Sequence, residues 1–221
     1  MNTSTSESAN RLRISEIFYS LQGESATVGI PTVFIRLTGC PLRCGYCDTT
    51  YAFQGGEWMG FDSILTTVAQ YDTRYITVTG GEPLAQKNCL SLLTQLCDRD
   101  FVVSLETSGA IDVSQVDHRV VKVMDVKTPG SLESKRNLPG NLAHLTSQDQ
   151  VKFVICDRAD YDWAVKFMQE YDLSARCHVL FSPSHDKLSI TDLAGWVLSD
   201  QLPVRVQIQL HKVIWGNEPG R

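Results

Sequence analysis

The chain has 221 residues, 43% of them apolar, and a formal net charge of -5. That is enough apolar content for one core, and the wrong sign for a surface that grips a nucleic-acid backbone. No apolar run reaches the roughly 18 residues that a membrane-spanning helix needs, so neither nucleic acid nor a membrane is expected as a partner.

Residues 1–10 are rich in Ser, Thr and Asn and lack the apolar centre of an export signal. They read as a disordered leader to a single domain over 11–221. With no export signal, an odd count of seven cysteines points to free thiols or a metal centre in a cytoplasmic protein, and away from disulfides. Residues 14–21 predict a short strand that breaks at Gln22–Gly23. Residues 32–39 are a clear β-branched and aromatic strand. Arg36 interrupts its apolar run, and a buried arginine needs an anionic partner. The strand runs into Cys40, Cys44 and Cys47. Residues 48–60 read as loop, and 61–71 carry the apolar stripe of a helix.

Residues 75–79 form the next strand, closed by Gly80–Gly81–Glu82–Pro83. A helix is predicted over 84–97, with Cys89 and Cys97 in its packing face. Strands follow at 101–105, ending in Glu106–Thr107–Ser108–Gly109, and at 120–126, ending in Lys127. Residues 131–149 lack periodicity and predict loop with a short helical turn. Further strands are expected at 150–156, 177–181 and 204–210, with helices at 160–171 and 188–198. Residues 211–221 read as a polar tail.

Strands and helices alternate, which predicts an α/β fold with a mostly parallel sheet. Polar or glycine-rich motifs recur where strands end, and in parallel α/β folds that edge carries the active site. About six βα units are too few to close an eight-stranded barrel, so an open, partial βα barrel is expected.

Three cysteines within the eight positions 40–47 are thiolate ligands in the making. Three ligands leave one position of a four-ligand centre open, and an open position is where a small molecule binds. A zinc ion with a remote fourth ligand such as His118, His144 or His178 is the alternative on spacing alone. Gly80–Gly81–Glu82–Pro83 brings backbone groups close to whatever lies beside them, because side-chain bulk is missing.

The pairing of Cys40, Cys44 and Cys47, with Tyr46 before the last cysteine, and a following Gly80–Gly81–Glu82–Pro83 resembles the radical S-adenosylmethionine (SAM) superfamily. Within it the chain resembles the 7-carboxy-7-deazaguanine synthase family nearly end to end. The similarity takes in Phe18 to Glu24, Phe34 to Cys40, Cys47–Asp48–Thr49, Glu106 to Gly109 and Gln209 to Lys212. The resemblance implies that Cys40, Cys44 and Cys47 hold a four-iron, four-sulfide (4Fe–4S) cluster whose unique iron is chelated by SAM. It implies a lyase that contracts the ring of 6-carboxy-5,6,7,8-tetrahydropterin, with loss of ammonia, in queuosine biosynthesis. Gln22, Glu24, Arg36, Gln209 and His211 are then the substrate-binding candidates. Thr49 matches a Mg2+ ligand, with Asp48 in support. Gly80, Gly81, Glu82, Thr107, Ser108 and Lys127 are the SAM-side candidates. A reductant such as flavodoxin and a homodimer are also implied. Met124–Asp125–Val126–Lys127 departs from the Ser–Pro–Lys of many relatives, and the chain continues for ten residues past His211. The rival readings are another small radical SAM enzyme, such as an activase, and a zinc-binding or electron-transfer module.

Overall fold

The computed structural model describes residues 10–216, 218 and 220, so the expected leader lies outside the described residues except for Asn10. One nine-stranded sheet organises the chain. Strand β1 (Arg11–Leu21) runs antiparallel to β2 (Pro31–Leu37), and β3 (Glu57–Gly60) pairs antiparallel with the other side of β1. From β2 the sheet continues through β4 (Tyr75–Gly80), β5 (Val102–Thr107), β6 (Val121–Asp125), β7 (Gln150–Ile155), β8 (His178–Pro183) and β9 (Arg205–Val206), each parallel to its neighbour. The sheet ends in open edges at β3 and β9, which is the partial barrel that the unit count predicts. The helices are α1 (Phe61–Val68), α2 (Cys89–Cys97), α3 (Arg158–Glu170), α4 (Leu173–Arg176), α5 (Ile190–Ser199) and α6 (Leu210–Trp215). Among the described residues no helix is long and apolar enough to cross a membrane.

Side chains alternate across a strand, and here the alternation separates core from cavity. On one face lie Ile35, Val78, Leu105, Phe153 and Phe181, which pack in one cluster with Ile64 of α1, Leu92 and Leu96 of α2, Tyr161 and Met168 of α3, and Leu193 of α5. Each of these fully buried apolar side chains contributes about 2 kcal/mol. The opposite face presents Arg36, Thr79, Glu106, Asp125, Lys152 and Ser182, all lining one cavity. Register brings them side by side: Arg36 is opposite Thr79, Asp125 opposite Lys152, and Val154 opposite Ser182.

Several boundaries differ from the sequence expectations, each for a local reason. β1 begins at Arg11 because its first residues pair with β3. That strand has no apolar alternation and exposes Trp58, so its residues read as loop. Helix α2 begins at Cys89, not at Leu84. Pro83–Ala85 is a tight turn capped by the Glu82 side chain on the Leu84 N–H, and Gln86 turns back to bond the backbone of Arg13 and Thr38. The last strand is only two residues long, and residues 210–215 form α6 where a strand end and a polar tail were expected. The chain leaves the sheet there because the Leu210 N–H donates to the Gly23 carbonyl at 2.9 Å. α4 carries no stripe long enough to be read in advance.

Candidate active site

The cavity at the C-terminal edge of the parallel strands has a volume of about 870 Å³, in the range of small-molecule sites. Its wall includes Cys40, Cys44 and Cys47 together with Glu24, Arg36 and His211.

The cysteine loop follows β2 directly. All three thiols are free and half-buried. Burial pushes the Cys44 thiol up to about 11, against the pull of Lys127, and it raises Cys40 as well. Binding as thiolates therefore releases protons. Among the described residues no three His, Cys, Asp or Glu side chains gather as ligands of one ion. Three thiols spread round a loop suit a multi-iron cluster, in which each cysteine meets a different iron.

The glycine motif is built against this loop. Gly81 N–H donates to the Leu37 carbonyl at 3.2 Å and Glu82 N–H to the Gly39 carbonyl at 2.8 Å. A Cβ on Gly81 would meet the Gly39 carbonyl and Cys40 Cβ, and one on Gly80 would meet the Leu37 backbone. Absent side chains thus let β4 press against the strand that feeds the cysteines. Gly80 and Gly81 line the cavity.

Glu82 does not face the cavity. It is wholly buried and accepts from Leu84 N–H at 3.0 Å, Thr107 Oγ1 at 3.0 Å, Ser108 N–H at 2.7 Å and Ser108 Oγ at 2.5 Å. It ties the end of β5 to the end of β4, and Thr107 and Ser108 are the ones that reach the wall. Lys127 Nζ lies 3.0 Å from Asp125 and over the Tyr46 ring. Burial disfavours its charge, but Asp125 and Cys44 outweigh that and hold its pKa above the ordinary value.

The segment between β1 and β2 folds back on itself, with Gln22 N–H on the Ile30 carbonyl and Gly29 N–H on that of Gln22. Ser25 N–H donates to Gln207 Oε1 and Ala26 N–H to Gln150 Oε1, which fixes the segment across the cavity face of β7. Glu24 is thereby aimed inward, 2.5 Å from Lys152 and accepting from Gln209 Nε2 at 2.7 Å. Burial raises its proton affinity, yet Lys152, Gln209 and His211 together hold its carboxyl below the usual value. Gln22 is buried and donates to Thr77 at 3.0 Å and Glu106 at 3.3 Å. Arg36 has an anionic partner within the fold: its Nε donates to Glu16 at 2.6 Å, and Tyr51 donates to the same carboxylate. The guanidinium still reaches the cavity wall.

Thr49 sits at the rim, donating to Asp48 at 2.9 Å. Gln209 and His211 arrive from the start of α6 and not from a strand. The imidazole lies against Gly23, where a Cβ would overlap it, and burial lowers its pKa. Lys212 closes the segment onto Asp48 at 2.7 Å.

Sequence reading missed Lys152, Asp125 and Glu106 as site residues. Their signal is a charged residue interrupting a largely apolar strand, the pattern that drew notice at Arg36. Five buried side-chain polar atoms lack a partner among the described residues. Those of Tyr46, Asp125 and Ser182 belong to residues of this cavity. Buried polar groups are paired in folded proteins, so these atoms fit a ligand with several donors and acceptors, as SAM has.

A partial βα barrel with three thiols after its first parallel strand and a Gly–Gly–Glu turn after the next defines a radical SAM protein, and the radical SAM superfamily matches over residues 34–124. The chain belongs to the 7-carboxy-7-deazaguanine synthase family. The protein of that name from Chlorobaculum tepidum is 44% identical over 208 residues, covering 93% of this chain and 94% of its own. That from Koribacter versatilis is 42% identical over 222 residues, covering 94% and 98%. Among solved structures, QueE from Escherichia coli shares the fold with a TM-score of 0.75 at 23% identity, over 91% of this chain and 95% of that one. SuiB from Streptococcus suis, in its crystal structure bound to S-adenosylmethionine, superposes with a TM-score of 0.53 at 12% identity, over 77% of this chain and 45% of that one.

Proposed function

We propose that this chain contracts the ring of 6-carboxy-5,6,7,8-tetrahydropterin to 7-carboxy-7-deazaguanine with loss of ammonia, a lyase reaction on the way to queuosine. The observation that supports this best is a single cavity whose wall carries the three thiols together with carboxylate, guanidinium and imidazole side chains. A substrate with a carboxylate, an amino-pyrimidinone edge and a reacting ring needs that set next to a radical source. Cys40, Cys44 and Cys47 hold the 4Fe–4S cluster. When bound, the cluster and SAM supply one-electron cleavage of SAM and hence removal of a hydrogen atom from the substrate. Gly80 and Gly81 let SAM approach the backbone. Thr107 and Ser108, held by Glu82, and Lys127 line its side of the cavity.

Arg36 presents its terminal N–H groups to the substrate carboxylate, a geometry suited to a planar fork of donors. Glu24 and Gln22 take the amino-pyrimidinone edge, and Gln209 and His211 close over it. Thr49, with Asp48 beside it, offers the few hard oxygens that a Mg2+ keeping its waters uses. The reading extends to a homodimer, to an electron donor such as flavodoxin and to work in the cytoplasm, where exposed thiols stay reduced. The test is anaerobic reconstitution to about four irons per chain, followed by supply of the carboxylated pterin, SAM, Mg2+ and reductant. 7-Carboxy-7-deazaguanine is the expected product. Cluster-replete protein that cleaves SAM and leaves the pterin unchanged would refute the assignment.

A further inference from the structure

Lys152 is a cation of the cavity wall that touches carboxylates brought in by two different segments. Its Nζ lies 2.5 Å from Glu24, carried in by the segment between β1 and β2, and 3.6 Å from Asp125 at the end of β6. Asp125 in turn meets Lys127 at 3.0 Å. Alternation along β7 sends Lys152 to the cavity while Val151 and Phe153 go to the core. A strand in the middle of the sheet holds it, so its position is set by backbone pairing on both sides. Burial opposes its charge, but Glu24, Asp125 and Glu106 outweigh this and raise its pKa. The ammonium thus stays protonated, which suits it to holding carboxylates in place and not to taking up a proton.

Resting on the pterin reading above, we propose that Lys152 is a positioning residue for the ring contraction. It fixes the Glu24 carboxylate for the amino-pyrimidinone edge of the substrate, with Asp125 as its second anchor. The physical reason is direct. Glu24 sits on a segment without secondary structure, where a side chain has several rotamers. A buried ammonium at hydrogen-bond distance selects one of them and keeps the carboxylate ionised. Breaking such a pair from one side leaves a buried charge without its partner.

A double-mutant cycle on the reconstituted enzyme tests this, with Lys152→Met, Glu24→Gln and both together, and with Lys152→Arg as the conservative variant. Iron content and thermal melting are recorded for each. Lys152→Met is expected to raise KM for the pterin about tenfold or more with a smaller change in kcat, as a lost binding contact does. Lys152→Arg should recover most of that loss. In the Glu24→Gln background the Lys152→Met change should cost little further, because the residue acts through Glu24. The double variant also removes both charges, so it folds without an uncompensated carboxylate. Additive KM effects, an equal loss in Lys152→Arg and Lys152→Met, or an unchanged KM in Lys152→Met would each overturn the proposal. Wild-type enzyme that fails to convert the pterin would instead sink the reaction assignment itself, so the two failures are told apart by the wild-type control.

Discussion

Arg36 and Glu82 both looked, from sequence, like charged groups waiting for a ligand, and the structure treats them in opposite ways. The Glu82 carboxylate is saturated by Thr107, Ser108 and the Leu84 N–H, so it shapes the wall from behind. Arg36 gives only its Nε to Glu16 and stands at the cavity surface between the Phe18 and Tyr51 rings. Replacing Arg36 with Ala is therefore expected to leave iron content unchanged, since none of its contacts reach the cysteine loop. KM for the carboxylated pterin should rise about thirtyfold, the ~2 kcal/mol of a charge-assisted bond. Iron loss in Arg36→Ala would contradict this placement. The two lysines in the apolar strands make the same point. Lys122 projects from β6 to a buried partner, Asp149, at 3.1 Å and serves the fold, while Lys152 faces the cavity. Both read alike in sequence, because only the face of the strand distinguishes them.

At the scale of elements, α6 is the least anchored part of the site. It has no buried residue, and Val213 and Ile214 are exposed. What holds it is polar: Leu210 to Gly23, Gln209 to Glu24 and Asp48, and Lys212 to Asp48. Burial raises the Asp48 carboxyl, but Lys212, Thr49 and Gln209 bring it well below the usual carboxylate range, so the clasp stays charged at neutral pH. Segments with few buried contacts open locally at low free energy. Lys212→Ala should thus speed hydrogen exchange at the amides of 210–215 several-fold, matching the roughly 0.2–1 kcal/mol of an exposed ion pair. The global melting temperature should hardly move. Unchanged exchange in that segment, or loss of the global fold, would count against a clasp held mainly by Lys212 and Asp48. The sequence marked Gln209 and His211 but placed Gln209 on a strand and His211 just after it, because the alternating run 204–210 carries no sign of a partner as distant as Gly23.

For the whole molecule, core and chemistry are separated by the two faces of one sheet. The buried core cluster contains no residue between Leu37 and Phe61, so the cysteine loop lies outside it. Replacing Cys40, Cys44 and Cys47 together with Ser is expected to abolish iron binding. Far-UV circular dichroism and cooperative melting should remain, because the hydrophobic contacts that dominate folding are elsewhere. A triple variant that is unfolded would show that the cluster is part of the folding unit, as it is in small metal-dependent domains.

Much of the protein was legible in the chain itself. The alternation of strands and helices fixed an open α/β sheet. The spacing of Cys40, Cys44 and Cys47 with Gly80–Gly81–Glu82 marked the cofactor end, since tight turns and ligand spacings are local properties of neighbouring residues. The rest depended on contacts between residues far apart in sequence. Only the tertiary structure paired Lys152 with Glu24, turned Glu82 away from the cavity, gave Arg36 its Glu16 and folded α6 back onto Gly23. Each of these is decided by which face of a strand a side chain occupies and by what another segment brings to it, and neither is written in the local sequence.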